Sequence, residues 1–333
     1  MSDELLTTLL RDVSRSFYLT MRMLPGAVRR PVSIAYLLAR TTDTIADTEL
    51  VPMESRLEAL AALRGRILGQ GGGPVEFLNL RSRQTVVAER ILLERCEESL
   101  RLLDELEDAD RRRIRDVLAI IISGQELDLK RFADASASQI VALETPEELD
   151  DYTYRVAGCV GEFWTRICRA HLFPAAPMDE KALARKGVLF GQGLQLVNVL
   201  RDLPRDLRNG RCYIPRRLLE AGGLTPGDLL SAANEARFRP VYDPLLSLAE
   251  NHLVTGWDYT CSLPRWEVRL RLGCAWAVLI GARTLRLLRV ENMLDSNRRI
   301  KVSRKEVRSM RARSVLLYPF PSLWNGMLAK ELA

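Results

Sequence analysis

The sequence predicts an all-α protein, a single-domain helical bundle around a central cavity. Three observations predict it. Apolar residues recur at helical spacing through most of the 333 residues. Strand-like alternation is scarce, and neither a βαβ pattern nor a GxGxxG turn occurs. Two apolar helical stretches, roughly 150 residues apart, each carry acidic residues four positions apart. Length alone favours two domains. Two acidic stripes that need one shared cavity argue for one.

The elements follow in order. The amphipathic start, Met1 to Ser14, has no signal-peptide pattern. Ser14-Arg-Ser-Phe17 and Arg22 then place polar points among apolar neighbours. They read either as a loop entering a helix or as a cluster touching a phosphate, with Phe17 at a cavity wall. Residues 28–47 read as a long helix, and Pro52 opens another to about Leu68. The stretch Gln70-Gly-Gly-Gly-Pro74 is a breaker. Helical periods cover 84–103 and 111–132, the second with Gln125, Glu126 and Asp128 at its inner end. Thr145-Pro-Glu-Glu148 is a helix start, with a capping hydroxyl, proline in the first turn and acids next. In that helix Ala157, Gly158 and Gly161 leave room for a second backbone or a ligand, and Tyr152 offers a phenol. Asp179 starts a further helix, in which Pro204 should produce a kink or an end near Leu203. Residues 240–261 and 264–290 are two more helices. Ser303-Arg-Lys-Glu306 has capping-box form. Residues 316–328, with Leu, Tyr, Phe and Trp, pack on the body or lie on a membrane interface.

The acidic stripes carry the chemistry. Asn198, Asp202 and Asp206 fall on one face of a helix, with Arg201 and Arg205 beside them. Leu194, Leu196, Val197, Val199, Leu200 and Leu203 supply its buried side. Asp43 and Asp47 repeat the spacing near Arg40. Such carboxylates repel one another and lose hydration. Either they are solvated helix faces, or a cation compensates them. Mg²⁺ suits carboxylate and amide oxygens and leaves room for substrate phosphate.

Composition narrows the partners. A net charge of +6 and a pI near 9.1 suit diphosphates or an anionic membrane surface. No nucleic-acid motif accompanies the charge, so nucleic acid is excluded. Six cysteines without a CxxC pair read as reduced and mainly buried, which implies a cytoplasmic protein, at most peripheral on the inner face of a membrane. The two histidines, His171 and His252, read as structural. The longest apolar run, Cys274 to Ala282, is too short to span a bilayer. The oligomeric state is open.

These motifs together resemble the squalene/phytoene synthase family of head-to-head prenyltransferases, from about Ser14 to Leu285. Asp43-Thr-Ile-Ala-Asp47 is similar to the family's first aspartate motif, and Asn198-Val-Leu-Arg-Asp202-Leu-Pro-Arg-Asp206 to its second. Tyr152 to Gly161 resembles its tyrosine-containing VAG-x-VG segment, and Ser14 to Phe17 its N-terminal motif. The resemblance implies an isoprenoid-synthase fold and Mg²⁺-dependent joining of two prenyl diphosphates, farnesyl diphosphate foremost. It implies metal ligation by Asp43, Asp47, Asn198, Asp202 and Asp206. Tyr152 would assist proton removal and Phe17 would line the cation pocket. Substrate contacts would come from Arg15, Ser16, Arg22, Arg40, Gln195, Asn198 and Arg201.

The basic stretch from Ile300 is similar to a segment of squalene synthases, which implies that Lys301, Arg304 and Lys305 bind NADPH and that the product is squalene. Dehydrosqualene, phytoene and presqualene diphosphate synthases, which do not reduce, remain alternatives. A helical scaffold docking on a membrane through its basic end is the non-enzyme alternative.

Overall fold

A computed structural model describes residues 4–14, 17–295, 297–298 and 300–333. Among them the regular structure is almost all helical, as the periodicity predicts. Besides an isolated bridge between Ser136 and Gln139, it includes a two-residue parallel pairing of β1 (Val141–Ala142) with β2 (Arg211–Cys212). The chain divides into two compact units, Met1–Lys130 with Phe163–Ala176 and Arg131–Glu162 with Pro177–Ala333.

The first unit is built on α1 (Gly26–Asp47). Val28, Ile34, Leu37, Leu38 and Ile45 bury its apolar side. It packs against α2 (Met53–Leu68), α3 (Val87–Glu94) and α4 (Cys96–Asp104). The sequence predicts one helix over 84–103, but α3 and α4 are separate. The chain leaves helical geometry at Arg95, whose guanidinium caps the turn by donating to Glu98 at 2.7 and 3.0 Å. Most of α5 (Asp108–Arg131) completes this unit. Asp110 is buried there and accepts from His171 Nε2 at 2.8 Å, which gives that histidine the structural place expected of it.

In the second unit, α6 (Pro146–Thr153) begins where predicted, with Thr145 Oγ1 accepting from the Glu148 amide. A π-helical turn at Tyr154–Gly158 leads into α7 (Cys159–Leu172). The long helix α8 (Glu180–Arg208), capped by Asp179, packs against this π turn. Glycine makes the approach possible. A Cβ on Gly161 would stand 1.9 Å from the Gly187 carbonyl oxygen, and one on Gly191 would stand 2.2 Å from that of Ala157. The small residues near Gly158 thus admit a second backbone.

Helix α8 corrects one expectation. It continues through Pro204 to Arg208 rather than ending near Leu203. Proline lacks the N–H that would bond the Leu200 carbonyl. The buried Tyr242 hydroxyl donates to that carbonyl at 3.1 Å instead. Tyr242 belongs to α9 (Glu235–Ser262), which lies against α8 and α10 (Val268–Val290). The C-terminal helices are α11 (Arg304–Leu317), α12 (Pro321–Asn325) and α13 (Met327–Leu332). The capping box opens α11 as predicted: the Ser303 amide donates to Glu306 at 2.9 Å, and the Glu306 amide to Ser303 Oγ at 3.2 Å. Among the described residues no helix is long and apolar enough to cross a membrane.

Candidate active site

The first acidic pair sits on the last turns of α1. Asp43 Oδ1 accepts from Gln125 Nε2 of α5 at 2.5 Å, and its other oxygen lies 3.8 Å from the Arg40 guanidinium. Arg40 is also paired with Glu89 of α3. Surrounding protein, and then the Asp47 carboxylate one turn on, push the Asp43 carboxyl up to about 6; Arg40 and Gln125 oppose the rise. The side chain keeps 46% of its surface accessible, so a cation can reach it. Asp47 is exposed. The remaining oxygen of Gln125, Oε1, is buried without a hydrogen-bond partner.

The second stripe lies along α8 in the other unit. Leu196, Val197, Val199, Leu200 and Leu203 are buried as the pattern predicts, and Leu194 is half-buried. Asn198, Asp202 and Asp206 are half-buried. Arg201 donates to both oxygens of Asp202, at 2.8 and 2.6 Å. One turn before, Asn198 Nδ2 donates to Gln195 Oε1 at 3.3 Å, and Gln195 Nε2 donates to the Tyr152 hydroxyl at 3.3 Å. A polar chain thus links the metal-type stripe to the phenol. Tyr152 stacks on Tyr213 with ring centroids 4.5 Å apart.

Tyr213 and Glu89 are absent from the sequence-derived site. The one sequence signal near Tyr213 is Asn209-Gly210, a turn-forming pair. Gly210 takes φ +76°, and a Cβ there would meet the Ser136 carbonyl oxygen at 2.3 Å. This turn lets β2 pair with β1, with the Leu143 amide donating to the Cys212 carbonyl at 3.0 Å, and so carries Tyr213 to Tyr152. Nothing in the spacing marked Glu89.

Arg22 is exposed on the short helix Phe17–Met23. Arg15, Ser16 and the Phe17 side chain lie outside the described residues. Lys301, Arg304 and Lys305 are exposed at the start of α11. Among the described residues no group of three or more His, Cys, Asp or Glu gathers to hold a metal. The donors come instead as acid pairs with neighbouring amides. That set fits Mg²⁺, which takes one or two carboxylates and completes its shell with water and substrate phosphate. The raised Asp43 carboxyl and the orphaned Gln125 oxygen are where a cation would relieve the most strain.

The sequence profile of the squalene/phytoene synthase family matches residues 10–306. The chain is 32% identical over 245 residues to the presqualene diphosphate synthase of Zymomonas mobilis, covering 72% of this chain and 69% of that one. It is 30% identical over 256 residues to the presqualene diphosphate synthase of Sinorhizobium fredii, covering 76% and 77%. It matches the bifunctional lycopene cyclase/phytoene synthase of Colletotrichum graminicola at 28% identity, covering 72% of this chain but only 39% of that longer protein. In structure it is similar to the TcSQS complex with the ligand BPH1237, at a TM-score of 0.76 and 22% identity, over 97% of this chain and 88% of the other. It is also similar to squalene synthase HpnC from Alicyclobacillus acidocaldarius, at a TM-score of 0.61 and 21% identity, over 87% and 93%. The structural likenesses establish the all-α fold, and the profile match over most of the length places this chain in the squalene/phytoene synthase family of head-to-head prenyltransferases, which act on prenyl diphosphates.

Proposed function

We propose that this protein joins two farnesyl diphosphates head to head and releases presqualene diphosphate. The observation that carries the product is the likeness, at 30–32% identity, to presqualene diphosphate synthases. In this reading Asp43, Asp47, Asn198, Asp202 and Asp206 would hold Mg²⁺, and the bound ion would supply positive charge for the diphosphate leaving group. Arg40 and Arg201, each already tied to an acid of the site, keep those acids oriented and add positive charge near the leaving group. Arg15, Ser16 and Arg22 serve as further substrate contacts. Ionisation leaves an allylic cation, and the double bond of the second chain attacks it. Loss of a proton closes the cyclopropane. Tyr152 stands for that proton step, its hydroxyl oriented by Gln195 and its ring by Tyr213, while Phe17 lines the cation pocket. Aromatic faces stabilise a cation without offering it water.

A second reading extends the reaction to squalene with NADPH as reductant. The exposed cluster Lys301, Arg304 and Lys305 at the start of α11 favours it, since phosphate suits a helix N-terminus with basic neighbours.

Product analysis after incubation with farnesyl diphosphate and Mg²⁺, with and without NADPH, separates the readings. Presqualene diphosphate that persists with NADPH supports the first, and squalene that requires NADPH supports the second. A triene formed in either condition means a dehydrosqualene-type reaction and refutes both. Product only from the longer geranylgeranyl diphosphate points to phytoene and also refutes both.

A further inference from the structure

The outer face of the C-terminal helices has features that the proposed reaction does not use. Helix α11 turns Met310 and Ser314 inward, with Trp276 Nε1 donating to Ser314 Oγ at 2.8 Å and the Arg311 guanidinium 4.3 Å from the Trp276 ring centre. Its opposite stripe, Lys305, Arg308, Ala312, Val315 and Leu316, follows three- and four-residue spacing and is exposed throughout. This outer stripe is basic first and apolar last. The apolar part continues past the helix: Leu316 is 71% exposed, Phe320 57% and Leu323 55%. Trp266, 69% exposed, adjoins Arg265, whose carbonyl accepts from the Tyr318 hydroxyl at 2.7 Å.

This is not a loose tail. Trp324 is buried and stacks on Trp257 at 5.6 Å, with the Tyr318 ring edge-on at 4.9 Å. Trp257 Nε1 donates to the Asn325 carbonyl at 3.2 Å. The buried Arg271 guanidinium lies 5.4 Å from the Tyr318 ring, and Arg313 pairs with the buried Glu331. The segment is therefore anchored through one face while its large apolar side chains are held toward solvent. Water does not favour that arrangement, and several large apolar side chains held exposed along one anchored segment mark a contact site.

Charge indicates the partner. Residues 301–333 hold seven Lys/Arg and two acids, Glu306 and Glu331, against a net charge of +6 for the whole chain. Both acids are engaged, with Arg283 and Arg313. Within residues 301–333 basic side chains thus outnumber acids, and the acid beside Trp266 is Glu267. A second copy of the chain would set the same basic residues against themselves across a two-fold contact. We propose that this face docks on an anionic lipid bilayer. Leu316, Phe320, Leu323 and Trp266 enter the boundary between headgroups and acyl chains, and Arg308 meets the headgroup phosphates. The inference does not depend on which prenyl product forms, and its test reads binding rather than turnover.

The experiment is co-sedimentation of the full chain with vesicles of phosphatidylcholine, alone or mixed with phosphatidylglycerol. The chain should bind the mixed vesicles, bind phosphatidylcholine alone far more weakly, and be released by salt. Replacing Leu316, Phe320 and Leu323 together by Ser should weaken binding by about tenfold or more. Arg308→Gln should weaken it about fivefold. Both variants should keep the parent's unfolding profile and its turnover of detergent-dispersed substrate. If the triple variant misfolds, Arg308→Gln and Trp266→Ser carry the same test. Equal binding by variants and parent, or no binding to mixed vesicles, would overturn the proposal. So would a concentration-dependent dimer that the triple variant abolishes, because the face would then belong to a second copy.

Discussion

The Tyr242 hydroxyl should be what sustains α8 across Pro204. Without a proline N–H at position 204, the Leu200 carbonyl loses its helical donor. In the structure Tyr242 replaces that donor at 3.1 Å, deep in the interface of α8 and α9. Burial pushes the Tyr242 hydroxyl well above the ordinary tyrosine range, so it stays protonated and able to donate. Tyr242→Phe keeps the ring and its tilted packing on Phe238 at 5.2 Å but removes the donor. An unsatisfied buried carbonyl costs about 1–3 kcal/mol, and that is the expected loss of stability. Pro204→Ala returns the missing N–H to the helix. In that background Tyr242→Phe should cost about 1 kcal/mol less, because the carbonyl keeps a partner. The assay is a double-mutant cycle by urea unfolding, followed by helix and tertiary signals. Pro204→Ala also changes the unfolded chain, but that contribution cancels around the cycle. A coupling below about 0.3 kcal/mol would refute the argument, since the two sites would then be additive.

Three further outcomes are expected. Gly161→Ala should prevent stable folding or cost more than about 3 kcal/mol, because its Cβ would lie 1.9 Å from the Gly187 oxygen; thermal melts check it, and a cost near zero would mean that α7 and α8 do not approach as described. Asp43→Asn should abolish turnover yet stabilise the metal-free protein by about 1 kcal/mol at neutral pH, after discounting for exposure. The sign follows from the raised carboxyl: the destabilisation is absent below the ordinary aspartate value near 3.9, grows with rising pH, and is complete above about 6. Melts of both proteins across pH, without Mg²⁺, test this. Glu306 behaves oppositely, because hydrogen bonds from the Ser303 amide and hydroxyl, and then from Arg283, hold its carboxyl down at about 2. Its contribution is full above the ordinary glutamate value near 4.3 and is lost as pH falls through about 2. Ser303→Ala should therefore cost about 1 kcal/mol at neutral pH, and less in acid.

Local chemistry made much of this protein legible from its residues alone. Helical periodicity fixed the all-α class, because burying one stripe of each helix is the dominant gain in folding and its period is written in the sequence. Thr145, Asp179 and Ser303 announced helix starts, since a cap satisfies amides within three residues of itself. The acidic stripes could be read because four-residue spacing is itself a geometric statement on a helix. Interactions between distant residues required the structure. Proline at 204 predicts a kink or an end from local rules, and only a tyrosine 38 positions later shows why the helix runs on. Arg40 and Arg201 read as diphosphate contacts, and only the fold shows which acids hold them, Glu89 and Asp43 for one and both oxygens of Asp202 for the other. Tyr213 reaches Tyr152 through a strand pairing too short to leave a pattern. The sequence by itself determined which groups can bind cations, cap helices and fill the core, because those properties depend on residue type and near neighbours. Tertiary structure alone decided which of them meet, because the partner of a buried polar group is set by packing between segments that share no local spacing.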